Sequence, residues 1–450
     1  MASLLLLFSA SAAPAETLDS ALARAYRGNP TLGAQRASVR ATDENLPRAL
    51  SGYRPTVSAT ADAGAQWTEG RAGRTNSREF GEPTYPRGVG VQVNQTLFNG
   101  LRTFNVTRQA ESQVLGARET LRNTEQTVLF NGATAYMNVL RDTAILSLQR
   151  NNVEVIEEQL RQTRDRFNVG EVTRTDVAQA ESRLAASRSQ VSLAEANLRT
   201  SIAVFRQVVG VEPRQLAPGQ PLDRLLPRSV DAAIDIGLME HPAIVAALHA
   251  VDVAELQVKV TEGELMPTLG VTGSAQQRWD VQDLGDNRLV ASAVARLTVP
   301  IYEGGEVYAR VRQAKETAGQ RRIEADVTRD QVRAQVVSTW GQLEASRAQI
   351  TAAQAQVQAA EVALNGVREE ARVGQRTTLD VLNAQQELLT ARVNLITAQR
   401  DRVVNSYAVV QAIGRLSTRA LALRIEQYSA KEHFDQVKGL WGGVRTPDGR

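Results

Sequence analysis

The sequence of 450 residues contains no cysteine, and aromatic residues make up only 4% of it. Without thiols, disulfide bonds, cysteine-ligated metals and thiol catalysis are excluded, and no lipid anchor on an N-terminal cysteine is expected. Bulky side chains for globular cores are scarce, so extended helices are the expected use of a chain of this length.

Blocks of one charge sign are also missing. The 52 Lys and Arg residues stand against 49 Asp and Glu residues, which gives a formal net charge of +3. The basic residues are nearly all Arg, and acids are interspersed among them. Nucleic-acid binding is therefore not expected.

The sequence lacks the groups that form a catalytic or cofactor site. It has neither a nucleophile elbow nor a phosphate loop, and its three histidines, His241, His249 and His433, form no recognisable ligand set. We therefore expect no enzyme activity, no cofactor and no metal site.

Residues 1–15 consist of a short apolar run followed by small residues that end in Ala13-Pro14-Ala15. This pattern predicts an export signal that is cleaved near Ala15, although no Lys or Arg precedes the apolar run. A disordered apolar terminus is the alternative. No later stretch reaches the roughly 18 apolar residues of a transmembrane helix. An exported chain of this kind stays in the periplasm or enters the outer membrane as strands.

The two halves of the chain resemble each other in sequence. Pro55-Thr56 recurs as Pro267-Thr268, and the run from Val169-Gly170 to Asp176 recurs from Val373-Gly374 to Asp380. Residues 97–100 also recur as residues 301–304, so the offset between the halves is 212 positions at Pro55 but 204 from Leu97 onward. The eight missing residues place a surface loop between Val57 and Leu97. The predicted organisation is a signal peptide at 1–15, a first repeat at 16–212, a linker at 213–229, a second repeat at 230–417 and an equatorial or mobile C-terminal segment at 418–450.

Each half begins with alternating apolar and polar residues. The pattern runs from Thr56 to Trp67 and returns around Val91, and it recurs in the second half up to Val299. It predicts β-hairpins at about 55–98 and 267–300, whose strands have the ~10 residues that a tilted strand needs to cross a bilayer. Trp67 and Trp279 stand at strand ends, where interfacial aromatics belong. Ordinary hairpins of a soluble sheet are the alternative.

Four strands cannot close a membrane barrel, because about eight is the observed minimum. Open sheet edges cannot face lipid either. If these strands span a membrane, several chains must complete one barrel together.

Long helices are predicted after each hairpin. Apolar residues recur every seven positions at Val139, Leu146, Val153, Leu160 and Phe167, which is typical of helices that wind left-handedly around their neighbours. No proline interrupts residues 101–166, so one helix can run for about 65 residues, or roughly 100 Å. Helical hairpins are predicted at about 101–209 and 305–416.

The tips of the helical hairpins are marked by glycine. Gly170 and Gly374 are expected to end the first helix of each hairpin, because glycine adopts the left-handed conformation that terminates helices. Thr175-Asp176 and Leu379-Asp380 are then the expected starts of the returning helices.

These tip sequences, residues 167–177 and 373–385, resemble the paired signatures of the TolC family of outer-membrane efflux proteins. The resemblance extends over nearly the whole chain after the signal. It implies a membrane α+β fold, in which a homotrimer forms a 12-stranded β-barrel continued by a long α-helical coiled-coil periplasmic tunnel. It further implies an outer-membrane exit duct that meets a periplasmic adaptor and an inner-membrane ABC or proton-driven transporter, for type I protein secretion, multidrug efflux or both.

By the same resemblance, the periplasmic tip is an iris gate. Asp176 matches a position that pairs across the iris with the Arg that Arg376 matches, and Asp380 matches an acid that forms a ring of three. The sequence departs from the best-known members at Asn383, where they carry a second acid, and at Ala371, where they carry Tyr. The matching hairpin tips, which imply adaptor contact, include Val169, Gly170, Thr175, Val373, Gly374 and Thr378.

The residues alone allow simpler interpretations. Asp176 is also explained as a helix cap, and Arg376 as a solvated tip residue. A ring of carboxylates would instead raise their pKa values and attract cations, which suggests block by divalent cations as a hypothesis. A soluble periplasmic coiled-coil adaptor is the alternative function, since it would also contain heptads and hairpin tips.

Overall fold

The computed structural model describes residues 16–67, 70–72, 78–80, 83–281 and 285–449. The predicted export signal at 1–15 lies outside the described residues. The chain divides into two compact units. A helical unit comprises Met1–Ala37, Glu119–Val245 and Val327–Tyr428, and a sheet-containing unit comprises Ser38–Arg118, Ala246–Asp326 and Ser429–Arg450.

The chain forms ten α-helices within its described residues. Two of them, α4 and α8, contain 67 residues each, so the long helices expected from the proline-free heptads are present. Among the described residues, every helix is too short or too polar to cross a membrane. The helices are α1 Leu18–Gly28, α2 Pro30–Asp43, α3 Asn45–Leu50, α4 Arg102–Asn168, α5 Arg174–Val209, α6 Val230–Glu240, α7 Pro242–Glu262, α8 Glu306–Arg372, α9 Thr378–Ala412 and α10 Ala430–Val437.

The helical unit has a core around Tyr136 and Phe205, two of the largest fully buried side chains. Their ring centroids lie 6.4 Å apart, with α4 contributing Tyr136 and α5 contributing Phe205. The Tyr136 hydroxyl lies 2.8 Å from the carbonyl oxygen of Glu16 and 2.6 Å from that of Ala217. Burial raises the pKa of Tyr136 to about 12, so this hydroxyl remains a hydrogen-bond donor at neutral pH. It holds two non-helical segments against α4.

The sheet-containing unit has a four-stranded antiparallel sheet with the order β1-β6-β7-β8. The strands β6 and β7 join the two hairpins along a register that runs from Arg87 opposite Trp279 to Asn99 opposite Thr268. The sheet strands are β1 Thr56–Ala63, β6 Arg87–Asn99, β7 Thr268–Trp279 and β8 Asn287–Thr298; two short pairs lie beyond β1, namely β2 Gln66–Trp67 with β5 Pro83–Thr84 and β3 Gly70–Ala72 with β4 Arg78–Phe80.

The two outer strands of this sheet are exposed along their whole length. Every residue of β1 and of β8 is exposed to solvent, whereas most residues of the central strand β7 are partly buried. Each outer strand therefore presents one edge whose backbone groups pair with no other strand of the described chain. Trp279 is the last residue of β7, and Trp67 lies in β2.

Two glycines allow the chain to turn from β6 into α4. Gly100 has a φ of +66°, and a Cβ built there would lie 2.2 Å from the carbonyl oxygen of Gly263. A Cβ on Gly263 would in turn lie 2.6 Å from the carbonyl oxygen of Gly100. Backbone approaches backbone here, so neither position has room for a side chain.

The C-terminal segment is anchored to the sheet-containing unit by α10. Phe434 packs against Leu46, Ala49 and Ala110 of α3 and α4. Beside it, Nδ1 of His433 lies 3.0 Å from Oδ2 of Asp43, which is fully buried. Burial raises the pKa of Asp43, although the hydrogen bond to His433 opposes that shift.

Candidate gate at the helical hairpin tips

The two tip turns have the same backbone hydrogen bonds. In the first, the Gly170 amide donates to the carbonyl of Phe167 and the Glu171 amide to that of Arg166; in the second, Gly374 donates to Ala371 and Gln375 to Glu370. Gly170 and Gly374 have φ angles of +82° and +80°. This is the Schellman arrangement, in which a left-handed glycine ends the helix. The glycines therefore end α4 and α8 as the sequence predicted.

A capping box begins each returning helix. The side chain of Thr173 accepts a hydrogen bond from the amide of Asp176, and Asp176 Oδ2 accepts from the amide of Thr173 at 2.9 Å. Thr377 and Asp380 form the same box, with 3.0 Å between the Thr377 amide and Asp380 Oδ2. Thr173 and Thr377 are thus the N-caps, so the expected starts at Thr175-Asp176 and Leu379-Asp380 were wrong by one or two residues. The acid occupies the third helical position, because from there its carboxylate reaches back to the free amide of the cap.

Arg376 pairs with an acid of its own tip. Its Nε lies 2.8 Å from Oε2 of Glu370, and this hydrogen bond raises the pKa of the guanidinium. Within one described chain, Arg376 therefore contacts Glu370 rather than Asp176. The hydrogen bonds from Thr377, with a smaller contribution from Arg376, hold the pKa of Asp380 below its ordinary value of 3.8.

Two apolar cores lie below the tips. Ile156, Leu160, Ala180 and Leu184 of α4 and α5 enclose Leu382 of α9, so the two hairpins share this layer. The other core is built from Leu364, Val381 and Leu388, and Ala371 packs against it. At position 371 this chain therefore has a small packed side chain where a Tyr would supply a hydroxyl group.

Asn383 is engaged by a residue that the sequence did not single out. Nη2 of Arg183 in α5 donates a hydrogen bond of 2.8 Å to Oδ1 of Asn383 in α9. This bond ties one helical hairpin to the other. Arg183 also lines a pocket of about 490 Å³ between α4, α5 and α9, whose other polar walls include Gln149, Asn152, Gln190, Gln385 and Gln386.

The remaining tip residues lie on the surface. Val169 is 72% exposed and Val373 is 70% exposed. Thr175 follows the first helical residue, and Thr378 is itself a first helical residue. The two valines give each tip an apolar side chain that no other part of the described chain covers.

The structural features of the tips are turns, polar links and exposed apolar side chains. In the part of the chain that the structure describes, His, Cys, Asp and Glu form no group of three that could hold a metal ion. The tips instead combine rigid turns, polar links between helices and exposed apolar ends. The capping boxes could have been read from the spacing Thr-x-x-Asp, but the link from Arg183 to Asn383 joins residues too distant in sequence for any local pattern to reveal.

The sequence matches the model of a known protein family and resembles characterised relatives. The family model for outer membrane efflux protein matches residues 21–211 and 233–415. The chain is similar to the outer membrane efflux protein BepC of Brucella suis biovar 1 (strain 1330), with 43% identity over 441 residues that cover 98% of this chain and 94% of the relative. It is 27% identical to the outer membrane protein TolC of Escherichia coli (strain K12) over 426 residues, which cover 90% of this chain and 84% of TolC.

The fold is also that of a solved channel. The crystal structure of the Campylobacter jejuni CmeC outer membrane channel matches with a TM-score of 0.81 and 17% identity, and the match covers 94% of this chain and 89% of CmeC. These comparisons favour a channel in the outer membrane over the soluble adaptor that the heptads alone allowed.

Proposed function

Because the chain belongs to the outer membrane efflux protein family, we propose that it is the exit duct of a tripartite export system. It is a protein of the outer membrane that extends into the periplasm, and it acts as a channel for efflux or secretion. Its family consists of channels rather than enzymes. The duct conducts passively, and the energy comes from ATP hydrolysis or ion flow in an inner-membrane transporter.

The open edges of the four-stranded sheet are the observation that supports an assembly. Lipid offers no hydrogen bonds to the free edges of β1 and β8, so these edges need partners. The two strands run in opposite directions, because each successive pair in the sheet is antiparallel. Hence β8 of one copy can pair with β1 of the next in the same antiparallel manner. Three copies then form one barrel of twelve strands above a tunnel of twelve long helices.

Two internal repeats would account for the similar lengths of the two helical hairpins in each protomer. The long helices α4 and α8 have the same length, and the returning helices α5 and α9 have 36 and 35 residues. Because the two hairpins have nearly equal lengths, the three copies place six similar helical hairpins around the channel axis, and all of their tips meet at one end. The signal peptide, the linker and the two repeats remain as predicted from the sequence.

In the proposed channel, the tips of the helical hairpins form the periplasmic gate. Asp176 and Arg376 link neighbouring copies across the iris, and Asp380 forms the ring of three at its narrowest point. Asn383 supplies no charge to this ring, but its hydrogen bond with Arg183 ties the two hairpins of one copy together. The exposed Val169 and Val373 are contact points for the periplasmic adaptor, since apolar tips favour burial in a partner.

The assembly is tested by joining the sheet edges covalently. The chain has no cysteine of its own, so cysteines placed in β1 and β8 form disulfides only among themselves, and a single-cysteine variant can give at most a dimer. A scan of such pairs should yield covalent dimers and trimers on denaturing gels, and each single-cysteine variant serves as its control. A stable monomer that never cross-links would contradict the shared barrel.

The gate is tested in planar lipid bilayers. Replacing Asp176 or Arg376 by Ala should raise the single-channel conductance, because each change removes a link that holds the iris closed. Arg372→Ala is a matched control, since Arg372 pairs with Glu369 on its own helix at 2.8 Å. Unchanged conductance in both gate variants would contradict their role as latch residues.

The cargo is tested in the cell. Deleting the gene and measuring both drug sensitivity and secreted proteins separates multidrug efflux from type I protein secretion. Increased drug sensitivity alone indicates efflux, and loss of a secreted protein alone indicates secretion.

A further inference from the structure

The C-terminal segment after α10 lies where the sheet begins. Arg54 lies two residues before the start of β1, and its guanidinium carbon lies 4.6 Å from the centre of the Trp441 ring. Nη1 of Arg54 also donates a hydrogen bond of 2.7 Å to the carbonyl oxygen of Leu440. The stacking of the Arg54 guanidinium on the Trp441 ring therefore fixes this segment beside the start of the outer strand β1.

The segment is held from both sides of this contact. Before it, α10 is docked through Phe434, with the guanidinium carbon of Arg118 4.9 Å from the centre of the Phe434 ring. After it, Asp448 forms an ion pair with Arg40, with 3.6 Å between Oδ2 and Nε. The position of Trp441 is therefore determined by several contacts within the sheet-containing unit.

Despite this anchoring, the apolar side chains of the segment remain largely exposed. Trp441 is 75% exposed, Val444 is completely exposed and Leu440 is half-exposed. A Cβ added to Gly439, Gly442 or Gly443 would meet no atom within 4 Å in the described structure. An apolar surface that is held in place but left uncovered is typical of an interaction site.

The surroundings of this surface match a membrane boundary. Arg54 stacks on Trp441 and Arg445 directly follows Val444, so basic residues accompany this surface, which favours the phosphates of lipid headgroups. The chain has four Trp residues. Trp67 and Trp279 lie toward the other end of the strands, and Trp340 lies within α8. Trp441 is thus the Trp that lies at the end of the sheet from which the long helices start. Trp residues are enriched at such positions when a sheet end meets the membrane–water interface.

We propose that Trp441, Leu440 and Val444 insert into the periplasmic leaflet of the outer membrane and form a C-terminal interfacial anchor, with Arg54 and Arg445 at the headgroups. This inference rests on the proposed barrel, because only a membrane-spanning sheet places Arg54 at the bilayer surface. Apolar side chains then lie among the acyl chains, and the Trp and Arg groups lie at the polar boundary.

Spin labelling of the purified protein in lipid vesicles tests the anchor. A nitroxide at Val444→Cys should collide more with oxygen, which concentrates in lipid, than with a water-soluble nickel chelate. Val169→Cys at the exposed hairpin tip is the matched control, and its label should show the opposite preference. Adding Trp441→Ala to the Val444→Cys variant should lower the ratio of oxygen to nickel collisions toward that of the control.

The outcomes separate this inference from the proposed barrel. A cysteine at Leu289, which is 70% exposed in β8, reports whether the sheet itself lies in lipid. If the Leu289 label reports lipid while the Val444 label matches the Val169 control, the anchor is wrong and the barrel stands. If both reagents fail to reach the Val444 label, a neighbouring copy covers the segment and the anchor is again wrong. If the Leu289 label itself reports water, the proposed membrane-spanning sheet fails.

Discussion

Arg183 and Asn383 are 200 positions apart in the chain, yet a hydrogen bond of 2.8 Å joins Nη2 of the first to Oδ1 of the second. The bond connects α5 of one helical hairpin with α9 of the other. Channels whose tips open by separating their hairpins must break such bonds. The pair therefore links the two helical hairpins of one chain.

Arg183→Ala should favour the open tip. Removing one hydrogen bond of this kind costs the closed state about 1 kcal/mol, which corresponds to a roughly fivefold shift toward opening. The shift is measured as open probability or conductance in planar bilayers. The control is Arg188→Ala, because Arg188 pairs at 2.7 Å with Glu157 inside its own hairpin. Equal effects of the two substitutions would show that the Arg183 link has no special role.

Thr173→Ala should loosen the start of α5. Loss of an N-cap side chain costs about 1 kcal/mol, because the Asp176 amide loses its side-chain acceptor and the Asp176 carboxylate loses the Thr173 hydroxyl as a donor. Hydrogen exchange at residues 174–177 should become faster, while the core around Tyr136 stays protected. Thr175→Ala is the matched control, since Thr175 lies two residues away and is not the cap. If hydrogen exchange became faster only in the Thr175→Ala variant, the helix would start at Thr175, as the sequence suggested.

Asp380 should bind divalent cations down to acidic pH. Its capping box lowers the pKa of the carboxyl below 3.8, so the charged form prevails at every higher pH. Block of conductance by divalent cations should therefore persist from neutral pH to about pH 5 and be lost as the pH falls through the lowered pKa.

Two variants check this assignment. Asp380→Asn should abolish the block at every pH, and Asp165→Asn, which removes an exposed acid of α4, should leave it intact. Loss of the block near neutral pH would instead show that mutual repulsion in the ring outweighs the capping bonds.

Tyr136→Phe should destabilise the helical unit. The change removes the buried hydroxyl donor that lies between the carbonyl groups of Glu16 and Ala217. The Glu16 carbonyl keeps the Ala217 amide as a donor, so the loss falls mainly on the Ala217 carbonyl, at a cost of about 1 to 3 kcal/mol. The melting temperature should fall, whereas Tyr308→Phe at a half-exposed site should leave it nearly unchanged.

The pH dependence of stability gives a second check on Tyr136. In the unfolded chain its pKa is about 10, but in the fold it is about 12, so the stabilisation is complete below pH 10 and is lost as the pH rises through 12. The Phe variant should lack this alkaline loss. An unchanged alkaline profile in the variant would mean that another group titrates.

The hydrophobic patterns were sufficient to predict the elements. The seven-residue spacing of Val139 and Leu146 and the lack of proline predicted long helices, because helix formation depends on neighbours three and four residues away. Gly170 and Gly374 predicted the ends of α4 and α8 for a similar reason. A helix ends where one residue adopts the left-handed conformation, and this preference of glycine can be read from the sequence. The tip signatures then indicated the family.

Other features depend on residues that folding brings together. Thr173 was missed as a cap because several Thr and Asp residues compete at the tip, and the backbone geometry selects one pair. The pairing of Arg376 with Glu370, the link from Arg183 to Asn383 and the stacking of Arg54 on Trp441 involve side chains whose partners depend on helix register and on the docking of α10. Sequence by itself determined where strands and helices form, since local periodicity controls them; only the tertiary structure decided which polar groups meet, because those distances depend on the packing of whole elements.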